Sequence, residues 1–93
     1  KIQNAQELNE IAWTFYTDID DNKMLKDAAK WAEKSVKLDD QYYNNDTVAA
    51  LYYKIGNKKK ALKFADKAIE IAKKTNVAYD DTDVLRGKIL LLP

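Results

Sequence analysis

The sequence predicts an all-α fold: antiparallel helical hairpins in two degenerate repeats, followed by a C-terminal capping helix. Three observations predict it. Apolar residues recur at helical spacing along the chain, with no sustained alternation of period two. Only two Gly and one Pro occur in 93 residues, so little interrupts a helix. The chain also repeats itself. Ala28, Trp31, Ala32, Ser35, Val36 and Leu38 fall onto Ala61, Phe64, Ala65, Ala68, Ile69 and Ile71 at an offset of 33. Ile11, Ala12, Phe15 and Tyr16 fall onto Val48, Ala49, Tyr52 and Tyr53 at an offset of 37, the difference being an insertion in the turn around Asp18 to Asn22. A period in this range denotes arrays of helical hairpins.

The elements follow in order. Asn4-x-x-Glu7 reads as a capping box opening a first helix that carries Leu8, Ile11, Ala12, Phe15 and Tyr16. A second helix, from about Lys23 to Leu38, has an apolar stripe of Leu25, Ala28, Ala29, Ala32, Ser35 and Val36. The third is expected to open near Asp46, a carboxylate at the positive end of the macrodipole, and to run through Val48, Ala49, Leu51, Tyr52 and Ile55. Gly56 sits where a left-handed stop belongs, and Asn57 then caps a fourth helix with the stripe Ala61, Leu62, Ala65, Ala68, Ile69 and Ala72. The fifth spans about Asp81 to Leu91, with Asp80, Asp81 and Asp83 at its start. The domain reading is one unit over 1–93, with repeats at about 5–40 and 42–75 and the capping helix at about 80–92.

Composition excludes several chemistries. With no Cys and no His there is no disulfide, no thiolate nucleophile and no imidazole base or zinc ligand. Two glycines cannot build a phosphate-cradling loop. No cofactor is expected, and no enzyme activity within this segment. No apolar run approaches the roughly 20 residues of a membrane span, so membrane insertion is not expected either. The chain begins with Lys1 rather than Met, which predicts a fragment of a longer protein.

Leu51-Tyr52-Tyr53-Lys54-Ile55-Gly56-Asn57, with Val48, Ala49, Ala61, Ala65 and Ala68, resembles the tetratricopeptide repeat; Leu8, Ile11, Ala12, Phe15, Ala28, Ala32 and Ser35 repeat the pattern more loosely. Departures are Asn45 and Ala65 at aromatic positions, and Asp40 and Lys73 where Pro is usual. The resemblance covers about residues 5–75 and implies an α-solenoid whose inner helices line a concave groove. By that alignment the groove residues are Gln6, Asn9, Trp13, Tyr16 and Thr17, then Tyr43, Asp46, Ala50, Tyr53 and Lys54. The partner-binding set drawn from them is Asn9, Trp13, Tyr16, Tyr43, Asp46, Tyr53 and Lys54. The aromatics equally suit packing against the last helix or a neighbouring domain. The family's clamp for a peptide carboxylate is not reproduced, because Asn9, Trp13 and Thr47 stand at the matching positions.

The expected function is therefore a non-catalytic protein–protein interaction or scaffold module, binding a peptide or a neighbouring domain, which includes an upstream domain of the same chain. A second resemblance, to helical segments that follow a thioredoxin-fold domain in some bacterial envelope proteins, implies an alternative: an accessory domain of a thiol-disulfide oxidoreductase. It would place the protein in the periplasm or envelope, and otherwise the expectation is cytoplasmic. Two polar features weigh less. Asp18-x-Asp20-x-Asn22 imitates a calcium loop, but Lys23 and Ala29 stand where Gly and a bidentate Glu are needed, which leaves a solvated capping turn and no metal site. Eight lysines from Lys54 to Lys74 against Asp66 and Glu70 give a local +6, yet Arg86 is the lone Arg, so a solvated face is favoured over nucleic acid. The apolar tail Ile89 to Leu92 is expected to pack under the last helix or to pair two chains as a homodimer.

Overall fold

Six helix boundaries have a local chemical cause, at the starts of the first four helices and the ends of the third and fourth. The structure, a computed structural model that describes residues 4–93, is all-α: five helices and no strand among the described residues. Helix α1 (Ala5–Asp18) starts where the Asn4 side chain accepts from the Gln6 and Glu7 amides, at 2.7 and 3.3 Å. Helix α2 (Asn22–Leu38) is capped by Asp21, whose carboxylate accepts from the Met24 amide at 3.1 Å. The acidic turn thus spends one carboxylate on capping and another, Asp20, on Lys54 at 3.4 Å. Helix α3 (Tyr42–Ile55) ends at Gly56 with φ 93°, the left-handed conformation that a side chain would strain. Asn57 then caps α4 (Lys58–Thr75) through the Lys60 amide, and Asn76 closes it in the left-handed region at φ 58°. Helix α5 (Asp80–Leu90) follows, with three aspartates in its first turn.

One boundary corrects the sequence expectation. Helix α3 opens at Tyr42, not near Asp46, so Asp46 is its fifth residue and not a carboxylate at the helix start. The cause is a reciprocal capping box between Gln41 and Asn44. Asn44 is wholly buried, accepts from the Gln41 amide at 3.0 Å, and donates to the Asp39 carbonyl at 2.6 Å and to Ser35 Oγ at 3.1 Å. Ser35 in turn donates to the Ala5 carbonyl at 2.6 Å. That chain of bonds joins the starts of α3 and α1 to the end of α2.

Each helix packs on the next, α1 also packs on α3, and α3 on α5. The Ser35–Ala5 bond places the end of α2 beside the start of α1, so those two run in opposite directions. Lys54 Nζ donates to the Tyr16 carbonyl at 2.6 Å, placing the ends of α3 and α1 together, so these two run alike. The thinnest extent is 19 Å, about two helix diameters. Alanine makes the close approach possible: Ala12, Ala28, Ala32, Ala49, Ala61 and Ala65 are all fully buried where helices face one another. Leu25, Val48, Leu51, Phe64 and Ile89 fill the space between. The whole predicted α2 stripe is buried. At the C-terminus Ile89 and Leu92 turn into the core while Leu91 stays 86% exposed.

Candidate functional site

Helical spacing places Trp13 and Tyr16 of α1 on one face, and Asp46, Ala50 and Tyr53 of α3 on another. Because α1 and α3 run alike and touch, these faces converge on one cleft, and α5 closes its far side with Asp81, Val84, Leu85 and Lys88. The cleft holds about 270 Å³, below the roughly 300–1,000 Å³ of pockets that enclose drug-sized ligands.

Its floor is aromatic, and its charged groups are the carboxylates of Asp46 and Asp81 and the ammonium of Lys88. Trp13 and Tyr16 lie 4.8 Å apart between centroids, and Trp13 remains 41% exposed. Burial, then the nearby Tyr53 and Asp46, push the Tyr16 phenol above its ordinary pKa. Asp46 is held by α5: Thr82 donates to its Oδ1 at 2.6 Å, which leaves Thr82 to accept from the Tyr42 hydroxyl, also at 2.6 Å. Burial, with a smaller contribution from Asp81, raises the Asp46 pKa despite the Thr82 hydrogen bond.

That shift has a defined sign. A carboxyl whose folded pKa is raised binds its proton more tightly when folded, so stability falls as pH rises through the window above the ordinary value of 3.8. Asp46→Asn keeps an oxygen for Thr82 and removes the charge. The variant should be more stable than the parent at neutral pH, and the advantage should vanish by about pH 3, read by urea unfolding at both. An equal difference at both pH values would contradict the assignment.

The remaining sequence-predicted residues are dispersed. Tyr43 and Gln6 line a separate depression with Asn4, Leu38 and Asp39. Thr17 is exposed and donates to the Thr14 carbonyl at 3.0 Å and to the Asp18 carboxylate at 3.1 Å. Asn9 is half-buried, and its Oδ1 has no hydrogen-bond partner among the described residues. The Lys54 ammonium is engaged internally, by the Tyr16 carbonyl, by Asp20 and by the Tyr16 ring at 5.5 Å. The cleft residues that the sequence reading missed are Asp81, Val84, Leu85 and Lys88, with Thr82 behind them. All lie on α5, whose weak amphipathicity gave no signal of which face turns inward.

In two other regions several charged groups are engaged within the chain. A larger cleft of about 460 Å³ between α4 and α5 contains the Arg86–Asp66 ion pair, and Lys73 stands 5.8 Å from the Tyr79 ring. Three of the α4 lysines lie over rings: Lys60 over Tyr52 at 5.1 Å, Lys63 and Lys67 over Phe64 at 5.4 and 5.9 Å. Lys67 also pairs with Asp40 at 3.1 Å. Burial pushes the Asp40 carboxyl up, but hydrogen bonds from Asn45 and Lys67 and the Lys67 charge outweigh it and leave the pKa lowered.

Among the described residues, no group of three or more Asp or Glu side chains is placed to hold a metal ion, and no helix is long and apolar enough to cross a membrane. No protein-family model, curated protein or solved structure matches the chain.

Proposed function

We propose that the chain is a non-catalytic interaction module of tetratricopeptide-like type, two degenerate helical hairpins and a capping helix, that binds a peptide or a neighbouring protein domain in its concave cleft. The observation that carries this is the convergence of Trp13, Tyr16, Asp46, Ala50 and Tyr53 on one open cleft. Aromatic rings with polar tips contribute large contact area at little conformational cost, and Trp and Tyr are enriched among residues that dominate interfaces. Supporting the repeat, the ring pair Phe15–Trp31 (5.0 Å) and the pair Tyr52–Phe64 (6.5 Å) occupy equivalent positions in the two units. The capping-helix part of this reading is supported as well, since α5 both covers core through Ile89 and forms one wall of the cleft.

Selection of binders from a random peptide display library tests this. Trp13→Ala should weaken the selected peptides about 30-fold or more, the scale of a hot-spot truncation. Lys34→Glu, beside the depression of Leu8, Ile11 and Trp31 on another side of α1, should leave them within about twofold. The reverse pattern would refute the cleft as the binding surface.

A further inference from the structure

The charges of the cleft narrow its occupant. Asp46 and Asp81 both line it, and among the described residues neither has an ion-pair partner. Thr82 supplies Asp46 with one neutral hydrogen bond, and the charged groups around it are Asp81 and Lys88, both from α5. At the α1–α3 end the Lys54 ammonium stands 5.5 Å from the Tyr16 ring, where it donates to the Tyr16 carbonyl and pairs with Asp20, and it does not line the cleft. The cleft therefore contains two carboxylates against the one ammonium of Lys88, beside the rings of Trp13, Tyr16 and Tyr53. Such a site is short of positive charge, and aromatic rings beside carboxylates are what a desolvated cation binds.

We propose that the cleft receives a cationic side chain, Lys or Arg, from a basic peptide segment, which Trp13 and Tyr53 flank and Asp46 and Asp81 neutralise. This rests on the cleft being the partner surface. A long basic side chain can lie along this open cleft between the α1–α3 rings and the α5 wall. The charge of that side chain gives the raised Asp46 pKa a consequence: an arriving cation favours the ionised carboxylate, so binding strengthens as pH rises through the titration of Asp46.

The test uses a short Gly/Ser peptide with one central Arg, a twin with neutral citrulline in its place and a twin with Glu, each titrated while the Trp13 indole N–H resonance is followed. The Arg peptide should bind about tenfold or more tightly than the citrulline twin, and the Glu twin most weakly. Asp81→Asn, at an exposed position and with retained folding checked by circular dichroism, should weaken the Arg peptide about three- to tenfold and leave the citrulline twin unchanged. Asp46→Asn should do the same, with retained folding checked by circular dichroism. Equal affinity for Arg and citrulline peptides, or no response to Asp81→Asn, would overturn the proposal. If no peptide of this series binds while display-selected peptides still require Trp13, the cation proposal falls and the cleft reading stands. If selected peptides require neither Trp13 nor Tyr53, the cleft reading itself falls.

Discussion

Replacing Ile89 with Ala should lower the free energy of unfolding by about 2–5 kcal/mol, the range for truncating a fully buried aliphatic side chain. Ile89 is 0% exposed, and among the described residues of α5 it shares full burial only with Thr82. Leu85 and Leu92 are half-buried, and the Arg86–Asp66 pair lies at the surface, where such pairs contribute about 0–1 kcal/mol. The attachment of α5 therefore depends on this one side chain more than on any other. Denaturant unfolding measures the loss, and amide hydrogen exchange locates it: α5 should exchange faster well before α3 does. Because α5 forms one wall of the cleft, peptides selected on the parent should lose affinity in parallel. Val84→Ala on the same helix, 61% exposed, should stay within about 0.5 kcal/mol. An Ile89→Ala protein with unchanged stability and unchanged α5 exchange would show that α5 is held by other means.

The second large effect is expected at Asn44, where no apolar contact is at stake. Asn44→Ala removes three hydrogen bonds and leaves the Ser35 hydroxyl, the Asp39 carbonyl and the Gln41 amide short of a partner. Each buried group left unsatisfied costs about 1–3 kcal/mol. Asp39 and Gln41 lie at the exposed end of α2, where water replaces part of the loss, so a total of about 2–3 kcal/mol is expected. The effect should depend on Ser35. In a double-mutant cycle with Ser35→Ala, the two changes should couple by about 0.5–3 kcal/mol, because both act on the chain of bonds running to the Ala5 carbonyl. Additivity within about 0.3 kcal/mol would mean the network does not act as one unit.

These two residues mark the divide between what the amino-acid pattern conveys and what only packing decides. The α2 stripe, the alanines between helices, the Gly56 stop and the Asn57 cap were all legible, because each follows from spacing or from the conformational preference of one residue type. The first turn of α3 was not. The helix was expected to open only near Asp46, and Tyr42, Tyr43, Asn44 and Asn45 are helical because Asn44 finds partners on Asp39 and Ser35, which the linear sequence does not bring together. The same holds within the cleft. Trp13, Tyr16, Asp46, Ala50 and Tyr53, expected together from the tetratricopeptide resemblance, do line one cleft, because i, i+3 and i+4 spacing puts each set on one face of its helix. Lys54 shares that face by spacing, yet the turn holding Asp20 and the end of α1 draw its ammonium away. Tyr43 sits one turn further toward the start of α3 and reaches a different depression. The acidic wall needs α5 folded back onto α3, a long-range event that depends on Thr82 meeting Asp46 and on Ile89 meeting the core.

The most direct measurement of the central claim, that the α1–α3–α5 cleft is the partner surface, is a residue-resolved chemical-shift map of the chain bound to its selected peptide. The account predicts that the largest perturbations fall on the Trp13 indole, on Tyr16 and Tyr53, and on Asp81 and Lys88 across from them. Perturbations centred instead on Ile11 and Trp31, or on the lysines of α4, would contradict it.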